Sequence, residues 1–264
     1  MRVYAAMFAA GLRRYAGYRA ATVAGAFTNS VFGLLKANIY VAAVASAGTQ
    51  IGGYDARQSI TFAWLTQALI APVHLFNWNE LALRVRTGDI AIDLCRPVDL
   101  QLSWLAADLG RAAYVLLPRG LPPLLVAAAF SGLALPGSPL PYLLGSISVL
   151  LAVSVSFLCR FALNLCAFWL VEIRGVATVY ASTSAFLSGL MIPVPWFPGW
   201  LHTVADLTPF PTFLQYPVDL LMGRVTGWPA VGHLGIQLAW LLAALTLGRA
   251  MLSRATARLV VQGG

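Results

Sequence analysis

The chain has 264 residues, 59% of them hydrophobic and 10% charged, with a mean hydropathy of +0.78. A soluble domain carries roughly 25% charged residues, so this chain lacks the charge to solvate its own surface, and disordered, coiled-coil, collagen-like and disulfide-rich scaffolds fall to the same figures. The net charge of +8 rests on 16 Arg and one Lys standing between apolar runs, which fits a membrane charge bias better than a nucleic-acid patch.

A spanning helix takes about 20 apolar residues, so the chain is read as an all-α, polytopic membrane protein with one domain over residues 1–264. Residues 1–19 form an amphipathic segment, with Tyr4, Phe8, Leu12 and Tyr15 at helical spacing and Arg2, Arg13, Arg14 and Arg19 on the polar side. Such a helix lies in the interface, and the apolar run after it is too long to be a cleaved signal. Six spans follow, at about Ala20–Ser46, Ile60–Trp78, Ala112–Leu135, Pro141–Val171, Val176–Ile192 and Val231–Met251. Gln101–Arg111 is amphipathic and is left outside the third span, which Pro118, Pro122 and Pro123 should bend or break. No carboxylate then lies within a span; Glu172 stands at a span end.

The basic residues set the orientation. Eleven of them (Arg2, Arg13, Arg14, Arg19, Arg84, Arg86, Arg96, Arg174, Arg249, Arg254 and Arg258) fall on one side, and only Arg57 and Arg224 on the other. The richer side is expected in the cytosol, with both termini. Lys36, Arg111, Arg119 and Arg160 remain within or beside spans.

Two segments are not spans. Residues 79–100 contain NELALRVRTGDIAIDLCR, where Asn79 can cap a short helix, Glu80 sits in its first turn and Gly88 interrupts it. This reads either as a cytosolic element that docks on a partner or as a solvated connector. Residues 193–229 hold seven Pro, yet Trp196, Phe197, Trp200, Phe210, Phe213 and Tyr216 make them too apolar for a free loop. Two short helices, about Gly199–Leu207 and Thr212–Met222, are expected to form a re-entrant extracellular element.

Catalytic chemistry is missing from the sequence. There is no Walker sequence and no G-x-S-x-G elbow. His74, His202 and His233 stand apart, with no carboxylate at ligand spacing. Cys95, Cys159 and Cys166 form no metal or disulfide framework. Polar residues within spans are the remaining pointers: Gln67, His74 and Asn77 beside Trp78 in the second, and Tyr180, Ser184 and Ser188 in the fifth. They line a substrate pathway or make helix–helix hydrogen bonds, worth about 0.6 kcal/mol each. A route so lined suits an amphiphilic organic molecule better than a bare ion.

Val85–Leu100 (VRTGDIAIDLCRPVDL) and Ser188–Gly223 (SGLMIPVPWFPGWLHTVADLTPFPTFLQYPVDLLMG) give these features a family likeness. The chain resembles the ABC type-2 exporter permeases, in particular the short six-span viologen- or drug-exporter-like subfamily. The resemblance implies a non-catalytic permease subunit in the plasma membrane of a bacterium. Two copies of a separate ABC ATPase, which carry the ATP and Mg, would drive it, and a second permease, identical or homologous, would complete it. Residues about 80–91 would be the coupling helix, with Arg84, Arg86, Thr87, Gly88 and Asp89 meeting the ATPase. The cargo would be a drug, antibiotic, lipophilic cation or peptide, exported by alternating access. A stand-alone secondary transporter or channel is the alternative, followed by a membrane enzyme or scaffold.

Overall fold

The computed structural model describes residues 2–257 apart from Asn77 and Val171. The described residues are helical, with a lone bridge between Ile51 and Tyr54. The twelve α-helices are α1 (Arg2–Ala16), α2 (Arg19–Ser46), α3 (Ala56–Val73), α4 (Glu80–Thr87), α5 (Ile90–Leu94), α6 (Leu100–Val115), α7 (Leu121–Phe130), α8 (Leu140–Leu165), α9 (Arg174–Leu187), α10 (Gly199–Asp206), α11 (Gln215–Leu221) and α12 (Gly227–Thr256).

Four stretches are long and apolar enough to cross a membrane: Arg19–Ser46, Leu100–Phe130, Leu140–Phe168 and Gly227–Thr256. The other two expected spans correspond to α3 and α9, of 18 and 14 residues. The two non-spanning segments hold the expected short helices: α4 and α5 in one, α10 and α11 in the other.

The third expected span needs correction. Asp99 caps α6 by accepting the Leu102 N–H at 2.8 Å, so the rod starts at Leu100 and not at Ala112. Its prolines do not break it. Pro118 falls in a π-turn, Leu116–Gly120, whose wider hydrogen-bond ring tolerates a missing N–H, and Pro122 and Pro123 occupy the first turn of α7. Asp108 therefore lies buried within a candidate span, against the expectation that no carboxylate does.

The second expected span is also displaced. Asp55 and Gln58 make a reciprocal capping box that starts α3 at Ala56. It ends at Val73 because His74 takes the left-handed conformation, φ +57°. His74 and Trp78 are thus outside the helix that was expected to carry them.

Helix α8 is the central post, with Ala152, Val155, Phe157, Leu158, Phe161 and Leu165 fully or almost fully buried. Small residues set the close approaches around it. Gly33 of α2 faces the indole of Trp64 on α3, and a Cβ there would stand 2.4 Å from the ring. Gly11 of α1 and Gly110 of α6 let those helices meet backbone to backbone; added Cβ atoms would lie 2.0 and 1.9 Å from carbonyl oxygens. So α1 packs on the bundle through its glycine face. Lys36, the only lysine, donates to the Leu190 carbonyl at 2.5 Å and the Thr66 hydroxyl at 3.1 Å, tying α2 to the turn after α9.

Ion pairs gather the loops at one end of the bundle: Arg14–Glu80 at 2.8 Å, Arg86–Glu172 at 3.3 Å and Arg249–Asp99 at 3.9 Å. This is the Arg-rich end. Arg57 and Arg224 belong to the other, where they donate to the Leu133 and Gly52 carbonyls. Trp200, Leu207 and Trp228 are widely exposed in the segment that joins α9 to α12 and in its first turn.

Candidate functional site

At the Arg-rich end α4 and α5 form a hinged pair that is anchored on one face and open on the other. Leu81 and Ile90 are wholly buried and join Phe157, Leu158, Phe161 and Leu165 of α8 in one apolar cluster. The opposite face presents Leu83 (58% exposed), Arg86, Thr87, Gly88, Asp89 and Ile92 (60% exposed). Between the helices Gly88 stands at φ +84° with open space around it, so the position asks for glycine because of its backbone and not for room. The Thr87 hydroxyl donates to the Asp89 carboxylate at 2.8 Å, closing the turn.

Of the five expected coupling residues, Arg86, Thr87, Gly88 and Asp89 face outward. Arg84 turns inward and donates from Nε to Asp93 at 2.5 Å, bracing α4 against α5. Glu172, in the loop before α9, receives Arg86. The Arg174 backbone N–H, reinforced by the Arg174 and Arg86 guanidinium groups, holds its carboxyl below the usual carboxylate range.

Asn164 fastens this pair to the bundle. Its side-chain oxygen accepts the Ala82 N–H at 3.0 Å, and its amide donates to the Trp78 and Arg160 carbonyls, each at 2.8 Å. One turn back, the Arg160 guanidinium contacts His74 Nδ1 at 3.3 Å and Asp108 at 3.3 Å, and stacks near the Trp78 and Phe157 rings. Asp108 also receives Arg111 at 2.7 and 3.2 Å. Arg111 in turn donates to the last carbonyls of α3, Ala71 at 2.9 Å and Pro72 at 2.7 Å, where a cation is favoured by the helix dipole. Ser156 donates to the Val73 carbonyl at 2.8 Å. A continuous polar chain therefore runs from α4 through α8 to the ends of α3 and α6. Asn164 and Asp108 escaped the sequence reading, although each sits a helical turn from an arginine, Arg160 and Arg111.

The six expected pathway residues are spread along the bundle. Gln67 is buried, and its carbonyl accepts the Asn29 amide at 3.1 Å. His74 belongs to the polar knot, and Asn77 lies outside the described residues. Ser184 and Ser188 are buried and return their hydroxyl groups to the Ala181 and Ala185 carbonyls of their own helix. The Tyr180 ring meets Phe210 edge-on at 5.8 Å, with its hydroxyl buried and unpartnered. The face of α9 that stays open carries Thr178, Ser182 and Thr183.

At the opposite end, Gln215 is the hub. Its amide donates to the Tyr54 hydroxyl and to Asp219, both at 2.7 Å; its side-chain oxygen takes the Val194 N–H at 2.9 Å, and its own N–H reaches the Ser188 carbonyl at 3.1 Å. Tyr54 donates to Asp219, and the Arg224 guanidinium lies 3.8 Å from the Tyr54 ring. The end of α9, the turn after it and α11 are thus locked to the loop between α2 and α3. On exposed α10, His202 and Asp206 pair at 3.1 Å, a carboxylate neighbour that the sequence reading of the histidines had denied. No group of three or more His, Cys, Asp or Glu among the described residues could hold a metal. The three cysteines are free.

Residues 34–263 match the family model described as ABC-2 family transporter protein. The chain belongs to the ABC-2 transporter family. As an ABC-2 type permease it is a membrane transport component of a class whose members are generally not themselves catalytic and work with ABC ATPase subunits. No curated protein and no solved structure is detectably similar to this permease. The matched range takes in α4, α5, the Asn164 clamp and the Gln215 lock of the permease, and it excludes α1.

Proposed function

We propose that this permease is the membrane half of an ATP-driven exporter, with six passes, the Arg-rich end in the cytosol and both termini there. The observation that carries this reading is the outward turn Arg86–Asp89, set on a segment whose other face is fastened to α8 through Leu81, Ile90 and Asn164. A surface so built takes force from a docked partner and passes it to α8, and from α8 through Arg160 to α3 and α6. Two ABC ATPase copies, carrying ATP and Mg, supply that force. Closure of the ATPases would switch the permease between two discrete arrangements.

A second permease, identical or homologous, completes the route in this proposal. The open face of α9, with Thr178, Ser182 and Thr183, and the exposed Phe27, Leu35 and Ile39 of α2 offer surfaces for it. Along that seam an amphiphilic molecule (drug, antibiotic, lipophilic cation or peptide) leaves the cytosol or the inner leaflet. Tyr180 stands behind the open face, and Gln67, His74, Ser184 and Ser188 support it from within.

The test is purification of the permease in mild detergent from cells that express its neighbouring genes, followed by ATPase assays in nanodiscs. A co-purifying ATPase stimulated by hydrophobic organic cargo is expected. A permease that moves the cargo alone, in liposomes without ATP, would replace this reading with the stand-alone transporter.

A further inference from the structure

Arg119 is a charged residue that the polar chain leaves out. It lies in the π-turn Leu116–Gly120, inside the apolar stretch Leu100–Phe130. Among the described residues it makes no ion pair and no hydrogen bond, and its Nε is buried without a partner. A guanidinium in a span without an acid is costly unless something outside the protein meets it.

Its position says what that is. The guanidinium lies across Gly25 of α2, where an added Cβ would stand 2.1 to 2.4 Å from its Nη2, Cζ and Nε atoms. Gly25 comes six residues after Arg19, the first residue of α2, so the group sits about 9 Å along that helix from the Arg-rich end. With the Arg-rich end at headgroup level, that is about where headgroups give way to acyl chains. Arg13 of α1 and Arg19 at the start of α2 are exposed at the Arg-rich end and form no ion pair among the described residues. A groove of ≈ 640 Å³ between Leu12 of α1 and the α6–α7 rod passes Pro118, the residue before Arg119. Its lining is apolar and aromatic, from Leu12 past Tyr114 and Leu117 to Leu121 and Leu125.

We propose that Arg119 holds the phosphate of an anionic phospholipid from the leaflet at the Arg-rich end, with one acyl chain of that lipid in the groove from Pro118 to Leu125. The arginine is long enough to snorkel toward the headgroup, and Gly25 is the notch that lets it lie flat. Arg13 and Arg19 add attraction for a negative headgroup over a neutral one.

Native mass spectrometry of the full, delipidated chain tests this, with phosphatidylglycerol and phosphatidylcholine as probes. One phosphatidylglycerol should be retained about fivefold more tightly than phosphatidylcholine, as expected for one added basic contact. Arg119→Gln should weaken retention and lower the preference, leaving only the share that Arg13 and Arg19 supply, and Arg119→Lys should keep most of it. Should Arg119→Gln fail to fold, Gly25→Leu, which fills the notch and keeps the arginine, reads the same loss. Arg57→Gln, at the other end, should change nothing. Equal retention of the two lipids by the unmodified chain, or full preference in both Arg119→Gln and Gly25→Leu, would overturn the proposal. So would displacement of the lipid by inorganic phosphate, which would make the site one for a free anion. The readout needs neither nucleotide nor partner, so its failure leaves the transport reading untouched.

Discussion

The side-chain oxygen of Asn164 accepts the backbone N–H of Ala82 at 3.0 Å, fastening the first turn of α4 to the end of α8. The same residue donates to the Trp78 and Arg160 carbonyls, so one amide joins three segments. On the proposed reading, a partner that pushed on Arg86–Asp89 would move α8 and not a slack loop.

Asn164→Leu leaves a buried Ala82 N–H without an acceptor, which costs about 1–3 kcal/mol. Amide exchange over residues 80–87 should accelerate by roughly tenfold or more. Asn164→Asp, which keeps the acceptor, should protect the Ala82 amide better than Asn164→Leu does. Equal exchange in both variants would show that the clamp is incidental.

Asp108 sits between Arg111 and Arg160 with all three side chains almost fully buried. Removing the acid alone leaves two buried cations together, a change of about 3–5 kcal/mol in comparable buried pairs. Asp108→Ala should lower the unfolding temperature in detergent strongly, and pairing it with Arg160→Met should recover part of the loss. A stable Asp108→Ala protein would mean that water or lipid already screens the pair.

Gly88 adopts φ +84°, a conformation that costs a residue with a Cβ about 1–2 kcal/mol. Gly88→Val should weaken coupling of ATP hydrolysis to transport while Gly88→Asn, tolerant of that region, retains most of it. Reversing the charge at Asp89 should uncouple without altering membrane insertion. Unchanged transport in Gly88→Val and Asp89→Arg would reduce the turn to a connector.

His74 is the one described non-glycine residue at positive φ, and it ends α3. His74→Val should destabilise by about 1–2 kcal/mol through the backbone alone, and His74→Asn much less. Thermal melting in detergent, compared across the two variants, reads the difference. Equal melting temperatures would place the strain elsewhere.

Much of this architecture is legible in the sequence because the signals are local. The Gly88 break, the two short helices between α9 and α12 and the Arg asymmetry all come from residues read where they stand. What escaped depended on partners far along the chain. Asp108 read as part of an amphipathic segment: its near partner Arg111 was in view, but Arg160, the second cation that meets it in the core, is 52 residues away. His74 fits helical spacing from Gln67, and only the capture of the α3 carbonyls by Arg111 and Ser156 explains why the helix stops before it. Serine hydroxyl groups in α9 read equally as pathway lining or as helix–helix hydrogen bonds, and at Ser184 and Ser188 they return to carbonyls of their own helix.

Transport assayed together with ATP hydrolysis, in sealed vesicles holding the purified permease and its ATPase, decides whether the Arg86–Asp89 turn drives the permease. With a labelled lipophilic cation as cargo, the intact complex should accumulate it only with ATP, and Asn164→Leu and Asp89→Arg should continue to hydrolyse ATP while transport falls at least about tenfold. Undiminished ATP-driven transport in both variants, or transport by the permease alone without ATP, would contradict that role.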